Sequence, residues 1–214
     1  MRVRNKTWAE PLIEANRDRI VTKGADIKGQ WQNRFERKQP INIEVGMGKG
    51  QFIINMAKKY PEQNFIGIEV QKSVAAIALK NSLDLDIQLP NLQFLYADGA
   101  ELTDYFENGE INKVYLNFSD PWPKTRHEKR RLTFKTFLKV YETILVDHGE
   151  LEFKTDNMGL FEFSLTSLNN YGMTYEGVWL NLHDSSENEQ NVETEYEQKF
   201  SAMGQPIYKL KAHF

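Results

Sequence analysis

Hydrophobic positions along most of this chain alternate between two periods. Residues 41–45 read Ile-Asn-Ile-Glu-Val, a short β-branched run that stops at Gly46. Residues 51–60 then place Phe52, Ile53, Met56, Ala57 and Tyr60 at helical spacing, and Pro61 closes the segment. The same pairing recurs: a strand over 64–70 with a helix over 72–83, then strands over 92–98 and 113–119. A helix over about 132–145, with Gly149 just past its end, leads to a strand over 150–155. A helix over 159–170 closes near Gly172, and two strands, 175–182 and 207–213, end the chain with no helix between them. The intervening acidic stretch 184–197 reads as a loop.

Strand and helix in repeated alternation imply a mostly parallel sheet covered by helices on both faces. The expected architecture is therefore α/β and Rossmann-like. It has a seven-stranded sheet, parallel except for an antiparallel hairpin at one edge. Residues 1–39 show cations and tryptophans but no evident strand, and read as a basic N-terminal arm on a single domain spanning 40–214.

Composition narrows the class. Hydrophobic residues make up 40% and aromatics 12% of the 214 residues, which excludes a wholly disordered chain. With no cysteine, disulfides and thiolate metal sites are excluded as well. The four histidines (His127, His148, His183, His213) lack ligand spacing, so no metal is expected. No apolar stretch follows the first charged residues, and no run approaches the roughly 20 residues that span a bilayer. A cytoplasmic protein without a membrane partner is expected. The net charge of −3 hides an asymmetry. Residues 1–38 hold ten Lys/Arg against five acids, and residues 124–131 hold five cations against one acid. Local fields of this kind decide where a polyanion docks.

Open parallel sheets bind ligands at the carboxyl ends of their strands. The first such turn is Glu44-Val-Gly-Met-Gly-Lys-Gly50. Gly46, Gly48 and Gly50 let backbone approach a ligand closely. The spacing fits neither the Walker loop nor the dinucleotide fingerprint. Glu44 would repel a pyrophosphate and suits a ligand bearing an amine. Glu69, at the next strand end, can accept hydrogen bonds from ribose hydroxyls, and Asp98, at the third, can accept from an adenine amine. Three acids at consecutive strand tips describe a nucleoside site with an amino-acid end, which fits S-adenosylmethionine. NAD remains the alternative that Glu69 and the glycines alone would allow.

The next turn is Asn117-Phe-Ser-Asp-Pro-Trp-Pro123. Pro121 and Pro123 each fix their own φ and restrain the residue before them. Asp120 and Trp122 are thereby held in place. This stretch, followed by Lys124 and Arg126-His-Glu-Lys-Arg-Arg-Leu132, resembles the signature of the bacterial tRNA (guanine-N7-)-methyltransferase family, whose fold is that of class I methyltransferases. The late Thr194-Glu-Tyr-Glu197 resembles another element of that family, and the resemblance covers essentially the whole chain. It implies a cofactor site at Glu44, Glu69, Asp98 and Asp120 with the glycine loop, and a catalytic role for Asp120. It implies substrate contacts at Lys124, Asp156, Thr194, Glu195, Tyr196 and Glu197, and RNA contacts at Arg126, His127, Glu128, Lys129, Arg130 and Arg131. The implied target is the variable-loop guanine at position 46 of tRNA. Trp122 and Tyr196 are candidates for stacking on that base, and the basic arm is a second candidate phosphate surface.

Two other classes remain at this point: an NAD-dependent oxidoreductase, and a non-catalytic RNA-binding module on a methyltransferase fold. The intact glycine loop and Asp120 speak against the second. An enzyme methylating an exocyclic amine is disfavoured because the paired prolines after the acid are missing. No obligate protein partner is implied, and a monomer and a homodimer are equally compatible with the sequence.

Overall fold

The computed structural model describes residues 6–214; Arg2, Arg4 and the side chain of Glu195 lie outside the described residues. The chain begins with helix α1 (Ala9–Ala15) and the two-residue strand β1 (Ile20–Val21). Then come β2 (Ile41–Val45), α2 (Gln51–Lys59), β3 (Asn64–Glu69), α3 (Lys72–Leu83), β4 (Leu92–Tyr96) and β5 (Ile111–Asn117). The second half runs α4 (Lys135–Ile144), β6 (Leu145–Thr155), α5 (Met158–Tyr171), β7 (Thr174–Trp179), α6 (Glu195–Ser201) and β8 (Tyr208–His213).

Among the described residues, eight strands form one sheet in the order β1-β4-β3-β2-β5-β6-β8-β7. Every pairing is parallel except β6 with β8 and β8 with β7. The α/β class, the mostly parallel sheet and the antiparallel edge pair agree with the expectation; the strand count is eight rather than seven. The extra strand comes from the segment in which no strand was evident. Ile20 and Val21 pair in parallel with Phe94 and Leu95 of β4. Two residues are too few to show a period.

Helices cover both faces, which is why all five residues of β2 and all six of β3 are buried. On one face Leu138 and Tyr141 of α4 and Leu160, Phe161 and Leu168 of α5 pack on the sheet. Trp31 joins that cluster: it stacks on Phe106 with centroids 5.3 Å apart and donates its indole N–H to the Tyr105 carbonyl at 2.8 Å. On the other face Ala9 and Ile13 of α1 pack with α2 and α3. Several cations of the N-terminal segment are engaged in contacts within it or with the rest of the domain. Arg17 pairs with Glu14, Arg19 donates to the Leu89 carbonyl, Lys28 to the Thr103 carbonyl, and Arg34 to Gln93 and the Arg17 carbonyl.

Other boundaries also differ from the expectation. The helix expected over 132–145 begins only at Lys135, and the chain passes from Ile144 straight into β6. Gly149 therefore does not stop a helix. It sits in an irregular stretch of β6, next to His148 at φ +59°, where the register with β5 slips between Ile111 and Lys113. A β-carbon on Gly149 would lie 2.9 Å from the Val146 carbonyl oxygen. The acidic stretch is not all loop: Thr194 caps α6, its hydroxyl accepting the Glu197 amide at 3.0 Å.

Candidate active site

Strand β2 has parallel neighbours on both sides, β3 leading away in one direction and β5 in the other. The connections reverse direction here, so a crevice opens at the carboxyl ends of these strands. It is a cleft of about 960 Å³. Glu44 on β2, Glu69 closing β3, Asp98 after β4 and Asn117 closing β5 all face it, with Gly46, Gly48 and Asp120. Val74, Ile77, Ala97 and Phe137 give it an apolar side.

The glycine loop has the shape its composition suggests. Gly46, Gly48 and Gly50 have φ of +81°, +57° and +82°. At Gly50 a β-carbon would also meet the Ala78 β-carbon at 2.9 Å, so α2 and α3 approach closely only because this residue lacks one. Glu69 fixes the loop from below: one carboxylate oxygen accepts the Gly48 amide at 3.2 Å, the other the Gln71 amide at 2.9 Å. Burial raises the Glu69 pKa, these amides oppose the rise, and the Asp120 charge adds to it. Asp98 caps the following 3₁₀ turn by accepting the Ala100 amide at 3.0 Å.

Glu44 is the unusual carboxylate. It is 2% exposed, and one oxygen accepts from the Asn117 side-chain amide at 2.9 Å. Its other oxygen, Oε2, is buried without a hydrogen-bond partner among the described residues, as are Asn117 Oδ1 and Gln51 Oε1. Buried acceptors without donors are costly, so convergent ones mark a place where a ligand brings the donors. An amino-acid ammonium beside an adenosine meets that demand, so the residues present fit S-adenosylmethionine. Burial pushes the Glu44 carboxyl up to about 7, against the Asn117 hydrogen bond and the Lys154 charge. Below that pH the folded protein thus favours the protonated form. Between pH 4.5 and 7 the Glu44 contribution to apo stability falls as pH rises, by about 3 kcal/mol in all. A cationic ligand reverses the preference. Affinity for S-adenosylmethionine is expected to rise from pH 5 to pH 7 and then level off, while Glu44→Gln binds more weakly with a flatter profile. Isothermal titration across this range checks it, and an identical pH profile in the two proteins would contradict it.

The turn after β5 carries the next carboxylate. Phe118 and Trp122, at φ +49° and +41°, both occupy the left-handed region that side chains seldom adopt. Asp120 lies between them, exposed, and no hydrogen bond or ion pair holds its carboxylate among the described residues. The Phe118 ring stacks near-parallel to Tyr196 with centroids 6.4 Å apart, and Tyr196 to Phe200 at 6.3 Å. Trp122 meets the His127 ring edge-on and carries the Arg130 guanidinium 4.8 Å from its own centroid.

Among the other residues singled out in the sequence, Lys129, Arg130, Thr194 and Tyr196 also line the cleft. Lys124, Arg126, His127, Glu128 and Asp156 do not; Lys124 and Arg126 are exposed beside it. Two departures stand out. Glu197, expected on the substrate, is fully buried and turned inward. It pairs with the equally buried Lys154 at 2.8 Å and bonds His183 and Asn191 through its other oxygen. Arg131, expected on RNA, donates to backbone carbonyls of the Asp120 turn. Sequence reasoning missed Asn117 and Lys199. Asn117 stood inside the quoted motif, but a neutral amide signals nothing until its partner Glu44 is known. Lys199 lines the cleft from α6, one turn after Tyr196, and lay outside every motif.

The fold and this cleft define a class I S-adenosylmethionine-dependent methyltransferase. Residues 38–210 match the family model described as "Putative methyltransferase". Solved structures with the same fold include the 16S rRNA methyltransferase KamB (TM-score 0.66, 13% identity, 92% of this chain and 98% of that one). Another is an antibiotic-related methyltransferase (TM-score 0.62, 17% identity, 82% and 88%). At such identities the likeness concerns the fold alone. Relatives named tRNA (guanine-N(7)-)-methyltransferase include that of Pediococcus pentosaceus, 78% identical over the full length of both chains. Those of Lactiplantibacillus plantarum (59%, all of this chain and 99% of that one) and Streptococcus sanguinis (56%, full length of both) also match. The chain belongs to the tRNA (guanine-N(7)-)-methyltransferase family.

Proposed function

We propose that this protein transfers the methyl group of S-adenosylmethionine to N7 of a guanine in cytoplasmic tRNA, the variable-loop guanine at position 46, giving N7-methylguanosine. The full-length relatives support the reaction, and the resemblance of the motif from Asn117 to Arg131 supports the position. The single observation that carries the reading is Asp120, a carboxylate without a hydrogen-bond or ion-pair partner among the described residues, held in a strained turn on the same cleft as the donor-seeking Glu44 and Asn117.

Bound S-adenosylmethionine supplies an electrophilic methyl group. Guanine N7 is an acceptor without a proton, so no residue needs to act as a general base. The methylated ring is cationic, and the Asp120 carboxylate stabilises the charge that develops in it. The same carboxylate has both oxygens open to the guanine N1–H and amino group, which fixes the orientation of the base. Alignment of this kind supplies roughly 7–11 kcal/mol of a barrier. Phe118 and Tyr196 offer an aromatic wall to a base turned out of the tRNA fold, and stacking contributes about 1–3 kcal/mol per base. Lys129, Arg130 and Lys199 at the rim meet phosphates and set register.

A tRNA transcript with adenine at position 46 tests the assignment: methyl incorporation should vanish, and undiminished incorporation would move the target elsewhere. Arg130→Ala should weaken tRNA binding about tenfold and lower the slope of log affinity against log salt by about one. Filter binding between 50 and 200 mM salt, concentrations at which such contacts are sensitive, reads both quantities; an unchanged slope would remove Arg130 from the phosphate track.

A further inference from the structure

Arg130 and Arg131 are adjacent in sequence and face different tasks. Arg130 is exposed on the cleft, its guanidinium over the Trp122 ring. Arg131 is half-buried and folds back under the turn. Its Nε donates to the Pro121 carbonyl at 3.1 Å and its Nη2 to the Trp122 carbonyl at 3.0 Å. The guanidinium carbon lies 4.3 Å from the centroid of the Phe163 ring on α5. Its own amide is tied to the Glu128 carbonyl at 2.9 Å. Arg131 thus joins three pieces of chain: the Asp120 turn, the basic 3₁₀ segment 125–130 and helix α5.

The turn needs such support. Two of its non-glycine residues have positive φ, and neither Pro121 nor Pro123 has an amide with which to hold it from within. Residues in sparsely populated conformations persist where their surroundings over-determine them. Here one planar fork fixes two successive carbonyls immediately after Asp120. A lysine would offer a point charge to one carbonyl at a time and could not reproduce that geometry.

We propose that Arg131 is a positioning residue that aims the Asp120 carboxylate, rather than a contact to RNA. This rests on the reading of Asp120 as the catalytic group. Arg131→Ala should lower kcat about 10- to 100-fold, the range expected when a reacting group is misplaced by an ångström or less. KM for tRNA and the salt slope should stay at wild-type values. Arg131→Lys, which keeps the charge, should recover only part of kcat, and added guanidinium should rescue the alanine variant in part. Arg130→Ala should show the converse pattern, a raised KM with kcat retained. Backbone amide exchange over residues 118–124, followed by mass spectrometry, reads the brace independently of methyl transfer; it should quicken in Arg131→Ala and not in Arg130→Ala. A raised KM and flattened salt slope with kcat intact, or wild-type kcat in Arg131→Lys, would overturn the proposal. Unchanged exchange would do so as well. Loss of the functional reading would look different: the wild-type enzyme would transfer no methyl group to tRNA while the exchange difference persisted.

Discussion

Asp120→Ala is expected to lower single-turnover methyl transfer by about 10²–10³-fold, the range found when one preorganised electrostatic contact to a developing charge is removed. Binding of tRNA should stay within a few-fold of wild type. The separation follows from the position of the side chain. It is exposed and has no hydrogen-bond or ion-pair partner among the described residues, so its loss leaves no buried group unsatisfied and no packing defect. The brace from Arg131 to the Pro121 and Trp122 carbonyls is untouched. What disappears is negative charge beside a ring that becomes cationic, together with two acceptors for the Watson–Crick edge of guanine. Asp120→Asn, which keeps one acceptor and removes the charge, should lie between wild type and the alanine variant. Wild-type turnover in Asp120→Ala would defeat the role assigned to the residue.

The second large effect is on stability. Lys154 and Glu197 are both 0% exposed, and Lys154 also donates to Asn191 Oδ1 and the Val192 carbonyl, each at 2.9 Å. This cluster fastens α6 and the segment 182–192 to β6. Lys154→Met strands a buried carboxylate with only Asn191 and His183 as donors, a change expected to cost about 3–5 kcal/mol. Urea unfolding measures it. The double variant Lys154→Met with Glu197→Leu should regain most of the loss, because a buried pair replaced by apolar groups of similar volume is often neutral. A single variant within 1 kcal/mol of wild type, by the usual scatter of surface substitutions, would show the pair to be incidental. The coupling also has a functional side. Thr194 and Tyr196 stand on the cleft only while α6 is docked, so the same variant should raise KM for tRNA.

What was legible in the sequence was set by periodicity. Strands of five to seven residues and helices of nine to fourteen announced themselves, and their order placed Glu44, Glu69, Asp98 and Asp120 at strand tips, where the structure gathers them on one cleft. Short elements escaped: α1 and β1 together supply Ala9, Ile13, Ile20 and Val21 to the core, yet neither is long enough to show a pattern among its cations. Charges were legible as charges but not as buried or exposed. Glu197 ends an acidic run that reads as a loop with a substrate contact, and only folding brings it to a lysine 43 positions away. Arg131 ends a basic run that looked like one surface. Nothing in a string of cations distinguishes the residue that folds back onto a backbone turn from its neighbour that faces the cleft.

The central claim is that the acid-lined cleft and the braced Asp120 methylate the bare ring nitrogen of guanine in tRNA. Incubation of the purified protein with S-adenosylmethionine and unmodified tRNA, followed by nucleoside digestion and mass spectrometry, tests it most directly. N7-methylguanosine is expected as the new nucleoside, formed about 10²–10³-fold more slowly when Asp120→Ala replaces the wild type. Methyl groups on an exocyclic amine or a ribose, or none at all, would contradict it.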